Sequence, residues 1–319
     1  MVVHMKDRII REWPIVVIVA LGVAMQLFLV SQSIAVLIAT ILPDDAFFIF
    51  KVAANIVAGL GSTFDGIHGS NGYHPLWILV LIGLYKFFGT GLVGDIGPIK
   101  IALDIQIVLN AATALVIARI LARFTKSTWI RALGMMVWVL NPFLLYETLN
   151  GIETAPALFF FSIFFLLALR LEEKFALGVP GRAGDHVWMG IVGGLMILSR
   201  LDMAFYVLAY LGWIVLRKGA SEWKHVLRAG SIAGLFLFGW IVWNILYFRM
   251  LLPVSSVAET MVAHVLIYQD NGSSWFQFFK AFVYMTQYEL NDVFARTGML
   301  ALSPGMIGGL CMLVAVGSL

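Results

Sequence analysis

From Pro14 to Leu42 no residue carries a charge, and this run limits the fold more than any other feature of the sequence. A helix rises about 1.5 Å per residue, so about 20 apolar residues cross the roughly 30 Å hydrocarbon core of a bilayer. Lys6, Arg8 and Arg11 precede the run as they would in a signal peptide. Its length, without a clear small-residue cleavage pattern, instead identifies an uncleaved first span over 15–42. The remaining sequence points to the same solvent. Of 319 residues, 61% are hydrophobic and 12% charged, with a mean hydropathy of +0.94, which no ordinary water-soluble domain of this size tolerates. The expectation is an all-α fold, a polytopic transmembrane helical bundle forming a single membrane-embedded domain over 1–319.

Further spans are expected at 99–122, 130–147, 154–171, 186–199, 203–216, 229–248 and 299–319, with 275–290 a borderline case, giving about eight or nine crossings. Segments 186–199 and 203–216 are short and are divided by Ser199-Arg200-Leu201-Asp202. They read as a tight hairpin or as one broken helix. Net charge is only +3, and the basic residues are scattered through short connections, which excludes a nucleic-acid-binding face. Cys311 is the single cysteine, so neither an intrachain disulfide nor a multi-cysteine metal centre can form.

Lys and Arg accumulate in cytoplasmic loops. Clusters fall at 6–11, at Arg119, Arg123, Lys126 and Arg131, at Arg170, Lys174 and Arg182, and at Arg217, Lys218, Lys224 and Arg228. For all four to be cytoplasmic, the apolar stretch from Pro75 to Phe88 must be re-entrant or interfacial, and at about 14 residues it is short for a crossing. The N-terminus is then cytoplasmic, in the cell's inner (plasma) membrane. Four polar segments share the opposite side: 43–74, 147–153, 199–202 and 249–274.

The first of these, an outer loop over 43–74, is the richest in chemistry. From Asp44 the sequence DDAFFIFKVAANIVAGLG fits a short helix along the membrane surface, ending at Gly59 or Gly61. At about 100° per residue, Asp44, Lys51 and Asn55 share a face with Asp45 beside them, and Phe47, Ile49, Phe50 and Val57 can enter the lipid boundary. Two adjacent carboxylates, partly stripped of water, suit proton abstraction from a hydroxyl. An acidic helix start that satisfies free N–H groups explains the same pair structurally. Further along come Asp65, His68, Asn71 and His74 amid glycines. The spacing of the histidines and aspartates matches no ligand motif, so no metal site is assigned.

At these residues the chain resembles the membrane-embedded glycosyltransferases of the C-type superfold, in particular the bacterial group of arabinofuranosyltransferase-like and dolichyl-phosphate-mannose-type enzymes. Asp44-Asp45-Ala46-Phe47 with Asn55 and Gly59 is similar to the group's acidic motif, and Asn71-Gly72 with His74-Pro75-Leu76-Trp77 to its following loop. Gly151-Ile152-Glu153-Thr154 resembles the opening of a later span. Leu198-Ser199-Arg200-Leu201-Asp202 resembles a step in which leucine replaces the usual proline, and Leu252-Pro253-Val254-Ser255-Ser256 an outer-loop segment. Members are often longer, so an incomplete C-terminus at Leu319 is an expectation.

The resemblance implies a polyprenyl-phosphate-linked sugar as co-substrate, a glycan, lipid or protein acceptor, and inversion at the anomeric carbon. It makes Asp44 or Asp45 the general base, with Asp44 favoured because it shares a face with Lys51 and Asn55. Arg200 becomes the donor-phosphate partner, its alternative being a salt bridge to Asp202 or Glu153. Glu153 orients the donor, neutralises Arg200 or caps the next helix. Lys51, Asn55, His68, Asn71, His74, Asp202 and Ser255 complete the substrate-binding set. The 275–290 segment can roof an acceptor groove. The partners implied are membrane lipids and the lipid-linked donor.

Two rivals stand beside this reading. A transporter also carries intramembrane polar residues, but here they gather at one face and no inverted repeat is visible. A noncatalytic subunit of a larger membrane complex fits the sequence Val257-Ala258-Glu259-Thr260, where the group usually has a lysine. That reading adds membrane-protein partners.

Overall fold

The computed structural model describes residues 2–89, 97–218, 222–251 and 253–255, with side chains from Glu12 onward. The expected segments 275–290 and 299–319 and most of the 249–274 loop lie outside these residues. Contacts divide the chain into two units, Met1–Leu140 with Leu144–Pro253, and Asn141–Phe143 with Val254–Leu319. The first unit holds every candidate site residue except Ser255.

The described residues form helices α1 (Val2–Val30), α2 (Ile34–Thr40), α3 (Asp44–Val57), α4 (Pro75–Phe88), α5 (Gly97–Leu121), α6 (Thr128–Val139), α7 (Pro142–Thr148), α8 (Thr154–Ala176), α9 (Ala183–Ser199), α10 (Ala204–Lys218) and α11 (Trp223–Phe248), with a 3-10 turn at Leu201–Met203. Thr63 and Gly69 make one isolated bridge, and no strand is present among the described residues. The all-helical fold is as expected. Among the described residues, four helices can cross a membrane by length and composition: Glu12–Val30, Gly97–Leu121, Thr154–Ala176 and Trp223–Phe248, or five if the bent pair α6 and α7 is one span. Of the eight or nine spans expected, those at 275–290 and 299–319 lie outside the described residues, so the expected number is compared only in part. Helices α9 and α10 have 17 and 15 residues, short of a perpendicular crossing.

Two boundaries differ from the sequence expectation. The uncharged run is two helices rather than one span over 15–42. Ser31 Oγ and Gln32 Nε2 both donate to the Phe28 carbonyl, at 2.7 and 2.9 Å, and such side-chain bonds compete with helix continuation. The expected 130–147 span is likewise interrupted, between α6 and α7. Of the two readings for 186–216, the geometry is a tight hairpin. Arg200 is extended (φ −148°, ψ 123°), and α10 folds back so that Val207 lies 3.3 Å from where a Cβ on Gly193 would stand.

The bundle has two chemically distinct ends. At one, ion pairs tie helix termini together: Arg131 to Glu12 at 2.8 Å, Lys174 to Asp185 at 2.6 Å, Arg123 to Glu173 and Arg217 to Glu172. The basic clusters around 119–131, 170–182 and 217–228 thus share this basic end, as their spacing implied. The polar segments near 71–74, 150–153 and 200–202 meet at the other, the site end.

Helices α9 and α11 run side by side between the two ends, and glycine lets them approach. A Cβ on Gly190 would stand 2.7 Å from the Ala229 carbonyl oxygen, and one on Gly194 would stand 2.4 Å from a ring carbon of Phe236. Small residues four apart allow this contact, which dispersion then rewards. Gly194→Val is expected to force the helices apart and to destabilise the fold by about 1–3 kcal/mol, the usual range for overpacking. Thermal unfolding of the detergent-solubilised chain measures this, with Gly212→Val, at a position open to space, as the control.

Candidate functional site

The site end is organised by a short turn between α7 and α8. Gly151 has φ +81°, a conformation in which a side chain is strained. A Cβ there would also stand 3.1 Å from both Leu42 and Phe50 and 3.3 Å from Ala46, so the turn lies directly against the first turns of α3. It is clamped from two further helices. Gln106 of α5, fully buried, accepts from Gly151 N–H at 3.0 Å and donates to the Ile152 carbonyl at 2.6 Å. Trp77 of α4 donates to the Gly151 carbonyl at 2.8 Å.

Two residues on, Glu153 is 6% exposed and borders α8. Its Oε1 lies 3.5 Å from His74 Nε2 and 3.7 Å from Arg200 Nη1. The other nitrogen of His74, Nδ1, accepts from Leu201 N–H at 3.3 Å. That bond assigns the proton of a neutral ring to Nε2, facing the Glu153 carboxylate. Arg200 also grips Asp202 with two hydrogen bonds, Nε to Oδ1 and Nη2 to Oδ2, each 3.3 Å. Burial would lower the Arg200 pKa, but the Asp202 hydrogen bonds and the charges of Asp202, Glu153 and Glu147 outweigh it and hold the guanidinium above its usual value.

His74, Glu153, Arg200 and Asp202 are therefore brought together, from three segments distant in sequence. Asp44 and Asp45 are exposed in the first turn of α3, with Asp45 N–H bonded to Asp44 Oδ1 at 3.0 Å. Ala46, the next residue, packs beside Gly151, which sets the acidic pair near the Glu153 turn. Lys51 is half-buried on the same helix. The lipid-facing role expected of Ile49 and Phe50 is corrected: they are 6% and 2% exposed, inside the protein core with Val52 and Ala53.

Other expected residues build the loop. Asn55 is 3% exposed and donates to the Thr63 and Phe64 carbonyls, both at 3.0 Å. Asn71, fully buried, donates to Asn244 Oδ1 of α11 at 3.0 Å. His68 is exposed and pairs with Asp65 at 2.6 Å, while Asp65 Oδ1 accepts from Ile67 and His68 N–H. The His68 hydrogen bond is the main cause of an Asp65 carboxyl held well below the ordinary range. The dense polar sequence at 65–68 is thus a self-satisfied turn. Ser255 is exposed and belongs to the second unit.

Beside the cluster lies an apolar cavity of about 570 Å³, walled by residues including Tyr73, Pro75, Ile78, Leu198, Trp240 and Tyr247. Tyr73 and Pro75 flank His74, and Leu198 stands two residues before Arg200, so cavity and polar cluster share chain segments. The aromatic wall was missed in the sequence. Trp240, Trp243, Asn244 and Tyr247 recur at i, i+3, i+4 and i+7 on α11, the signal of one helix face. Chemically, the assembly offers carboxylates to accept a proton, an arginine to meet an anion and an apolar space for a hydrocarbon chain.

No known protein family, curated protein or solved structure matches the chain.

The joint at Gly151 is open to test. Gly151→Ala adds left-handed strain and a clash with α3, together about 1–3 kcal/mol, and is expected to lower the unfolding temperature by several degrees. Thermal melts compared with Gly184→Ala, at a position open to space, measure it.

Proposed function

We propose that the chain is a membrane glycosyltransferase that moves a sugar from a polyprenyl-phosphate donor to a hydroxyl of a glycan, lipid or protein acceptor. It works on the non-cytoplasmic side of the plasma membrane, with the N-terminus cytoplasmic and α4 lying at the interface. The observation carrying most weight is the meeting of Arg200, His74 and Glu153 beside a large apolar cavity, with two exposed aspartates on the neighbouring helix. A donor with a hydrocarbon tail and a phosphate head needs both environments next to each other.

In this reading the acceptor oxygen attacks the anomeric carbon as its proton passes to Asp44 or Asp45. The bond from that carbon to the phosphate oxygen breaks, and polyprenyl phosphate leaves with the electron pair. One displacement inverts the anomeric centre. Arg200 stabilises the charge growing on the leaving phosphate, through Nη1, which makes no hydrogen bond to Asp202. Asp202 keeps the guanidinium oriented, and Glu153 with His74 fixes the other side of the head group. Lys51 lies on the same helix as the base.

A second reading, a noncatalytic subunit that keeps this fold, is favoured by one observation: Arg200 already has a two-bond carboxylate partner in Asp202. Reconstitution in liposomes with a panel of polyprenyl-phosphate sugars separates the two. Under the enzyme reading Asp44→Asn or Asp45→Asn lowers kcat by about 10²–10⁴-fold, the range for loss of a general base, and Arg200→Gln raises KM and lowers kcat. Full activity in both aspartate variants would contradict the base assignment. No transfer by the native chain from any donor favours the subunit reading.

A further inference from the structure

At the basic end, away from the proposed site, three residues converge that the sugar chemistry leaves unused. His186 lies in the first turn of α9, Glu222 immediately precedes α11, and His225 is in the first turn of α11. One ligand atom from each lies within 4.8 Å of the others. Glu222 Oε2 is 3.0 Å from His225 Nδ1 and 3.7 Å from His186 Nε2. Two imidazoles and a carboxylate bound tetrahedrally to one ion at about 2.0–2.1 Å hold their ligand atoms about 3.3 Å apart. Two of the three separations already bracket that value.

His186 is fully buried, yet neither of its ring nitrogens has a hydrogen-bond partner. A buried imidazole left in this state is costly, and a metal ion satisfies one nitrogen outright. Gly181 abuts that nitrogen: a Cβ there would stand only 2.5 Å from His186 Nε2, so any side chain at 181 would crowd it. Asp185 is committed elsewhere, accepting from Lys174 Nζ at 2.6 Å and from Arg182 N–H at 2.8 Å. The nearby Arg228 adds positive charge on the α11 side, which opposes a cation and which the Glu222 carboxylate offsets. The rings of His186 and His225 are stacked, 4.8 Å between centroids, and rotation of the more exposed His225 turns its nitrogen toward the common point.

We propose that His186, Glu222 and His225 bind one divalent transition-metal ion of the zinc class, with water in the fourth position. Nitrogen and carboxylate donors without thiolate fit zinc or cobalt rather than calcium or magnesium. The ion fastens the start of α9 to the start of α11, the pair that the Gly190 and Gly194 contacts hold together further along.

The test uses the full chain in detergent, purified without a histidine tag, loaded with Zn²⁺ and passed through gel filtration. Retained metal is measured by mass spectrometry, and unfolding temperature with and without Zn²⁺. Wild type and His68→Ala are expected to retain about one zinc per chain and to melt higher with zinc, since a ligand of the native state stabilises it. Glu222→Gln and His225→Ala are expected to bind at least tenfold more weakly and to lose the thermal shift, while their metal-free melts and elution stay as in wild type. Gly181→Ala, which crowds His186 Nε2, is expected to weaken binding as well without removing a ligand. Zinc retained equally by the Glu222 and His225 variants, or none retained by wild type, overturns the proposal. These readouts do not involve sugar transfer.

Discussion

The turn at Gly151 is the contact on which the site end depends. It joins α7 to α8, takes hydrogen bonds from Gln106 of α5 and Trp77 of α4, and packs against Leu42, Ala46 and Phe50 at the start of α3. Inside an apolar bundle a bent backbone has no water to satisfy its N–H and C=O groups, so buried side chains must do so. Gln106 and Trp77 meet that requirement, and in doing so they fix Glu153, which in turn positions His74 and Arg200. A packing and hydrogen-bonding constraint therefore determines where the chemistry stands.

The same solvent argument explains the division into two ends. Charges are driven to the helix termini, where Glu12, Glu172, Glu173 and Asp185 pair with arginine and lysine at one end. At the other end a smaller and partly buried set, Glu153, Arg200, Asp202 and His74, is held among aromatic and aliphatic walls. Pairs at the basic end that lie near the surface, such as Lys174 with Asp185, contribute little each. At the site end Glu153 is buried, so removing its partner leaves its charge less well balanced.

Much of this was legible in the sequence. The start of α3 at Asp44, the bounds of α4 at Pro75 and Phe88, and the meeting of 71–74, 150–153 and 199–202 followed from charge, proline and the length a span requires. The division of α1 from α2 did not, because Ser31 and Ser33 leave the run uncharged and the break is made by side-chain bonds to Phe28. The burial of Ile49 and Phe50 was missed for a deeper reason. Lipid and protein interior are equally apolar, so hydropathy identifies a nonpolar face without saying which of the two it meets. Polar density was not specific either: Asn55, Asn71, Asp65 and His68 make contacts within turns and junctions, which sequence does not separate from contacts to a substrate. His186, Glu222 and His225 gave almost no local signal, since only Glu222 and His225 are one helical turn apart.

The proposed function requires the apolar cavity beside the polar cluster to hold the chain of a lipid phosphate. The most direct measurement is photo-crosslinking of a polyprenyl phosphate, carrying a diazirine near its phosphate, to the full chain in nanodiscs, with adducts mapped by peptide mass spectrometry. Adducts are expected to concentrate in 73–82 and 235–247, the cavity walls, to be competed by unlabelled polyprenyl phosphate and to fall in Arg200→Gln. Adducts spread evenly over the lipid-facing helices, and unaffected by competitor, would contradict it.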